Sequence, residues 1–136
     1  MHTKSKAALP ILLIFGLIVL YGPSVYQTKD WQAPPEADKL TNPFPGSAEA
    51  AKSGKKLFSQ NCTVCHGEQG KGDGIAAVSL NPHPKNLVAK KFTSQTDGAI
   101  FWKISEGRSP MPGYRNTFTE AQRWQLVNYI RTLKGK

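Results

Sequence analysis

The chain has two cysteines in 136 residues, Cys62 and Cys65, and no third. A structural zinc site takes four ligands from cysteine, histidine or carboxylate, so the lack of a third cysteine and of a second C-x-x-C argues against one. Methionine is equally scarce, at Met1 and Met111 only. Acidic residues number 9 against 18 lysines and arginines, a formal charge of +9. No nucleic-acid motif accompanies that charge, which leaves an acidic protein docking face as the better partner for it. The glycine-rich run GEQGKGDG, Gly67 to Gly74, lacks GxxxxGK[ST] and follows no strand, so it is not a phosphate cradle. Charge is missing altogether between Lys6 and Lys29.

That uncharged run of 22 residues, centred on LPILLIFGLIVLYG, is long enough to cross a bilayer, which takes about 20 residues. Lys4 and Lys6 precede it, so the positive-inside rule places the N-terminus in the cytoplasm and the remainder outside. The competing reading is a cleaved signal peptide, with Gly22-Pro23-Ser24 as a small-x-small site. An apolar run reaching Tyr26 with no clean A-x-A favours a retained anchor over residues 1–26. Either way the rest of the chain lies on the same side of the membrane. Residues 27–46, with Pro34, Pro35, Pro43 and Pro45, read as an extended, stiff linker that cannot sustain a helix. It serves either as a passive tether or, through Phe44 and the prolines, as a seam along a neighbouring subunit. Trp31 is expected at the membrane interface.

Residues 47–136 read as one helical domain. Ser47 is a natural N-cap and Glu49 suits the first turn of a helix through about Gln60. Its buried stripe is Ala51, Gly54, Leu57 and Phe58. Glycine inside a helix costs about 1 kcal/mol against alanine, so Gly54 predicts a close crossing by another helix. The helix leads into NCTVCHG, and C-x-x-C-H is the attachment signature of a c-type haem. Two thiols three residues apart share one side of a helical turn, where they can bond the two vinyl groups of one porphyrin. His66, directly after, offers an imidazole nitrogen to the iron. A disulfide or a redox dithiol would also use C-x-x-C but leaves the histidine unexplained. The loop Gly67 to Gly74 is expected to wrap one haem edge. In NPHPKNL, held extended by Pro82 and Pro84, a backbone carbonyl is expected to accept the His66 Nδ1 hydrogen and fix its tautomer.

Thr96 and Asp97 open a short helix through Glu106, stopped by Gly107. Trp102 reads as core, though its indole N–H needs a partner if buried, such as a haem propionate. In RSPMPGYR, Met111 sits between Pro110 and Pro112, poorly placed as core filler, and its thioether is assigned to the second axial position. Two rivals stand: His83 on the iron in its place, or an open sixth site, as in a haem enzyme or gas sensor. Thr119 with Gln122 makes a capping box for a last helix from Glu120 to about Lys134. Trp124, Leu126, Val127, Tyr129, Ile130 and Leu133 give it a broad apolar face.

Gly54-x-x-x-Phe58, Cys62-x-x-Cys65-His66, Met111-Pro112 and Leu126-x-x-Tyr129 together resemble class I cytochromes c, over about residues 47–134. The resemblance implies an all-α fold of three to four short helices around one covalently attached haem c. The first and last helices would cross at right angles, Gly54 and Phe58 meeting Leu126 and Tyr129. It also implies that the Pro-rich loop carrying His83 lies on the His66 side. The segments DGAIFWKISEG, MPGYR and RWQLVNYIRTL are similar to the monohaem cytochrome subunits of bacterial respiratory assemblies, notably alternative complex III. The function implied is that of a single-electron carrier rather than an enzyme, with His66 and Met111 both on the iron and no small-molecule substrate or nucleic acid. Its partners would be other subunits of a membrane respiratory or photosynthetic complex; a membrane-tethered shuttle is the alternative. The haem domain would stand on the periplasmic side of a bacterial cytoplasmic membrane. Lys55, Lys56, Lys71, Lys85, Lys90, Lys91, Lys103, Arg108 and Arg115 are candidates for a positive docking face around the haem edge.

Overall fold

A computed structural model describes residues 30–133. The anchor over residues 1–26, its signal-peptide alternative and the last three residues lie outside the described residues. The described chain forms five α-helices: α1 Ala48–Asn61, α2 Thr63–His66, α3 Lys90–Thr93, α4 Asp97–Glu106 and α5 Glu120–Thr132, with 3-10 turns at Pro35–Lys39 and Ala77–Ser79. Among the described residues there is no strand, only an isolated bridge between Arg108 and Met111. None of the described helices is long and apolar enough to cross a membrane.

The helix starts are set by side chains that accept otherwise orphaned N–H groups. Ser47 Oγ accepts from Ala50 N at 3.1 Å and Thr96 Oγ1 from Ala99 N at 3.0 Å. At α5 the capping box is complete: Gln122 N donates to Thr119 Oγ1 and Thr119 N to Gln122 Oε1. α1 runs one residue past its expected end, to Asn61, and α5 ends at Thr132, where Leu133 N turns back to Ile130 O.

α1 packs on α5 at Gly54. A Cβ there would overlap the Gln125 carbonyl, lying 2.5 Å from its carbon and 3.0 Å from Leu126 N. Only hydrogen fits, so the two backbones touch and the destabilising glycine is explained. One turn on, Phe58 meets Tyr129 with ring centroids 5.2 Å apart, and Leu126 and Val127 are fully buried between the helices. α4 closes the other side through Ile100, Phe101 and Ile104, with Phe101 stacked on Trp124 at 4.0 Å. Each such apolar side chain contributes roughly 1.5–3 kcal/mol on burial.

The segment expected as an extended linker departs from that reading from Asp30 onward. Pro35–Lys39 make a 3-10 turn with proline at its start, where the missing N–H has no helical partner to lose. Ala37 is 2% exposed against α4, and its carbonyl approaches Gly98 so closely that a Cβ would not fit. Thr96 Oγ1 donates to Asp38 at 2.6 Å. Asn42, itself buried, donates to Asp97 at 2.7 Å and accepts from Asn128 Nδ2 at 3.2 Å. Phe44 packs, partly buried, on the chain's own core. Trp31 lies against Trp102 with centroids 6.3 Å apart. Proline excludes a long helix but not a single turn that begins with it.

Candidate functional site

The helical hydrogen bonding of α1 carries on into the C-x-x-C-H motif. Cys62 N donates to Phe58 O at 2.8 Å, and His66 N and Cys65 N return to Cys62 O at 2.8 and 3.2 Å. Cys62, Cys65 and His66 therefore share one turn of helix. Both cysteines are free thiols, half-buried and without a disulfide. Burial pushes the Cys62 thiol up to about 12, with Cys65 adding to it. A neutral thiol held there is available for thioether formation, after which it has no proton to lose.

His66 Nδ1 stands 3.2 Å from the Lys85 carbonyl. A carbonyl only accepts, so the proton is on Nδ1 and Nε2 keeps its lone pair for a metal. Burial pushes the imidazole pKa down and the Lys85 carbonyl partly opposes it, which favours the neutral, ligating form. The bond expected from the NPHPKNL segment is thus present, at Lys85. His83 is exposed on the same loop, its Nδ1 3.1 Å from the Pro84 carbonyl.

The glycine-rich loop folds back along α2. Gly72 N donates to His66 O at 2.8 Å, Gly74 N to Cys65 O at 3.1 Å and Ala76 N to Val64 O at 2.9 Å. A short helix leaves its last carbonyls without partners, and this loop supplies them. Gly74 is required by that approach, since a Cβ would lie 2.5 Å from Thr63 O. Leu87 N then donates to Gly70 O at 2.7 Å as the chain enters the core at Leu87.

Met111 is placed by a different construction. Its loop leaves α4 at Gly107, where φ is +68°. Arg108 and Met111 exchange two backbone hydrogen bonds of 2.9 Å each. The chain returns to α4 through Tyr114 N to Ile104 O at 2.9 Å, Arg115 N to Ser105 O at 3.1 Å and an Arg115–Glu106 ion pair. Tyr114 Oη donates to Asn61 O at 3.3 Å, tying this loop to the residue before Cys62. Met111 is half-buried against the same apolar cluster that Cys62 touches. Burial pushes the Tyr114 hydroxyl up to about 12, with further contributions from Cys62 and Cys65; once both sulfurs are thioethers only burial remains.

Two residues near this loop have roles that the sequence pattern does not reveal. Tyr114 lies in the MPGYR segment, where spacing alone gives it no partner. Arg123 is only 6% exposed, with its guanidinium 4.7 Å from the Phe101 ring and Nη1 donating to Ser105 Oγ. Its Nε has no hydrogen-bond partner among the described residues. Helical spacing to Val127 and Ile130 places it on the buried face, but its charge argues against burial.

The donor set fits haem c: two free thiols on one turn, an imidazole with Nε2 unprotonated, and a thioether on a loop tied to that turn. Among the described residues no group of three or more His, Cys, Asp or Glu is gathered that would hold a bare ion. A family model described as Cytochrome C oxidase, cbb3-type, subunit III matches residues 49–130. The chain belongs to this family of c-type cytochromes. The cytochrome is 34% identical over 98 residues to the cbb3-type cytochrome c oxidase subunit FixP of Azorhizobium caulinodans, covering 71% of this chain but 31% of that protein. It is 29% identical over 92 residues to a cytochrome c6 of Synechococcus sp., covering 68% of this chain and 78% of that one. Among solved structures it is similar to the KustC0563 c-type cytochrome, with a TM-score of 0.53 and 25% identity over 60% of this chain and 96% of that one. The fold is also shared with part of the Kuenenia stuttgartiensis Kustc0457/Kustc0458 complex, at a TM-score of 0.60 and 23% identity over 70% of this chain and 49% of that one. This cytochrome is of the class I type, with its haem c covalently bound; it spans under a third of the length of the FixP that it matches.

Proposed function

We propose that Cys62 and Cys65 would form the two thioethers, that His66 Nε2 and Met111 Sδ would hold the haem iron, and that the protein passes single electrons as a subunit of a bacterial membrane respiratory or photosynthetic complex. The observation that carries the ligand reading is the His66 Nδ1 to Lys85 carbonyl bond on the C-x-x-C-H turn, which leaves Nε2 as the free donor. Bound haem supplies the one-electron chemistry. The chain supplies a neutral imidazole, a soft thioether that favours the ferrous state and raises the potential, and a loop that keeps that thioether by the motif. With both positions taken there is no place for a substrate on the iron. Carbon monoxide added to the reduced protein under native conditions should leave its spectrum unchanged, and rapid binding would contradict the Met111 assignment.

Residues 1–26 serve in this reading as a retained anchor in the cytoplasmic membrane, with the haem domain on the periplasmic side. Likeness to a FixP and to the CcoP subunit of Azospirillum brasilense, 30% identical over 90 residues, supports assembly into a complex. The finer reading, carried by DGAIFWKISEG, MPGYR and RWQLVNYIRTL, is a monohaem subunit such as that of alternative complex III. Redox partners with acidic faces suit the charge of +9 and should bind less tightly as salt is raised. The likeness to cytochrome c6 supports the second reading, a tethered shuttle. In a mild-detergent native gel a subunit co-migrates with its complex, whereas a shuttle runs alone.

A further inference from the structure

The chain is fastened to the helical domain from the first described residue. The Asp30 carboxylate pairs with the Lys91 ammonium, with Lys85 and Lys103 contributing further positive potential. Trp31 packs on Trp102, and its ring lies 5.6 Å from Lys103 Nζ and 5.9 Å from the Arg108 guanidinium. Immediately behind, the turn Pro35–Lys39 lies against α4 without room for a Cβ at Gly98. No free length of chain separates Asp30 from α4. In the sequence only Lys29 separates Asp30 from the uncharged run that ends at Thr28.

We propose that the face around Asp30 and Trp31, bearing Lys85, Lys91, Lys103 and Arg108, lies on the membrane surface against the phosphates of anionic phospholipids. The proposal rests on the reading of residues 1–26 as a retained anchor. A chain spans at most roughly 3.3–3.6 Å per residue, so Asp30, four residues after Tyr26, stands no more than about 14 Å beyond the end of the apolar run. That reach is comparable to the headgroup region, and Trp31 packed on Trp102 keeps the start of the domain within it. Lys91, Lys85 and Lys103 act on Asp30 and Arg108 lies by the Trp31 ring, a positive balance that headgroup phosphates complement. Trp31 and Trp102 bring the aromatic surface that such an interface accepts. Lys85 is also the residue whose carbonyl orients His66, so the His66-side loop would lie next to the lipid. Lys55, Lys56 and Lys71 are left for a redox partner.

The test uses full-length, haem-loaded protein in nanodiscs containing anionic phospholipid and, in parallel, in a non-ionic detergent. A membrane-impermeant acetylating reagent is applied and each lysine is followed by mass spectrometry. Lys85, Lys91 and Lys103 should react several-fold more slowly in nanodiscs than in detergent, with Lys52, Lys55 and Lys56 of α1 reacting equally in both. Equal rates at all six would overturn the proposal while leaving the anchor intact, and would point to an acidic protein as the occupant of this face. Failure of the protein to enter nanodiscs or to float with vesicles would overturn the anchor and this proposal together, leaving the haem ligation untouched.

Discussion

His66 and Met111 are held by segments of contrasting build. The His66 turn continues from α1, its carbonyls are answered by the following loop, and its ring is oriented by the Lys85 carbonyl at 3.2 Å. The Met111 loop is fixed at its two ends to the last turn of α4 and joined to α1 by one long bond, Tyr114 Oη to Asn61 O at 3.3 Å. The first is a local structure reinforced by covalent attachment; the second depends on α1, α4 and α5 being assembled. The methionine side should therefore be the side that yields first.

The largest expected effect is on the covalent half. Replacing both Cys62 and Cys65 with serine should remove haem entirely from the chain on a denaturing gel stained for haem, where the wild type retains it. Next comes the assembly on which the other half depends. Gly54→Ala introduces a Cβ into the Gln125 carbonyl; overpacking costs typically 1–3 kcal/mol, and a clash with backbone belongs at or above the upper end. The midpoint of denaturant unfolding measures it, and an unchanged midpoint would mean that α1 and α5 do not meet at Gly54.

Two milder changes separate the halves. Gly113→Ala puts a Cβ 2.7 Å from the Glu106 carbonyl carbon, and should weaken the near-infrared band of methionine-ligated ferric haem while leaving covalent haem on the gel unchanged. Equal loss of both signals would refute the contrast. The smallest effect is expected for Tyr114→Phe. A neutral hydrogen bond contributes about 0.5–1.5 kcal/mol net, and one this long sits at the low end. Chemical unfolding should show that small loss, and slow carbon monoxide binding should become detectable in the reduced variant where the wild type shows none.

The same contrast explains what was legible in the sequence. Ser47, Thr96 and the Thr119–Gln122 box marked helix starts because a cap acts within three residues. Gly54 announced a helix crossing because glycine inside a helix demands a reason, and the His66 carbonyl partner was legible because prolines hold its segment extended. The fastening of residues 30–46 was not. Its buried Ala37 stands among Glu36, Asp38 and Lys39, and a turn of five residues is too short to show a hydrophobic period. Arg123 was hidden by its charge, since burial is rare for an arginine without a ring such as Phe101 beneath it. Tyr114 gains its role only when α1 and α4 are brought together, which no local spacing encodes.

The most direct test of the ligand assignment is the near-infrared spectrum of the intact oxidised protein, taken beside Met111→Ala. The expected result is a weak methionine-to-iron band in the wild type that is absent from the variant. A wild type without that band, or a variant that keeps it, would contradict Met111 as the sixth ligand and bring His83 or an open site forward.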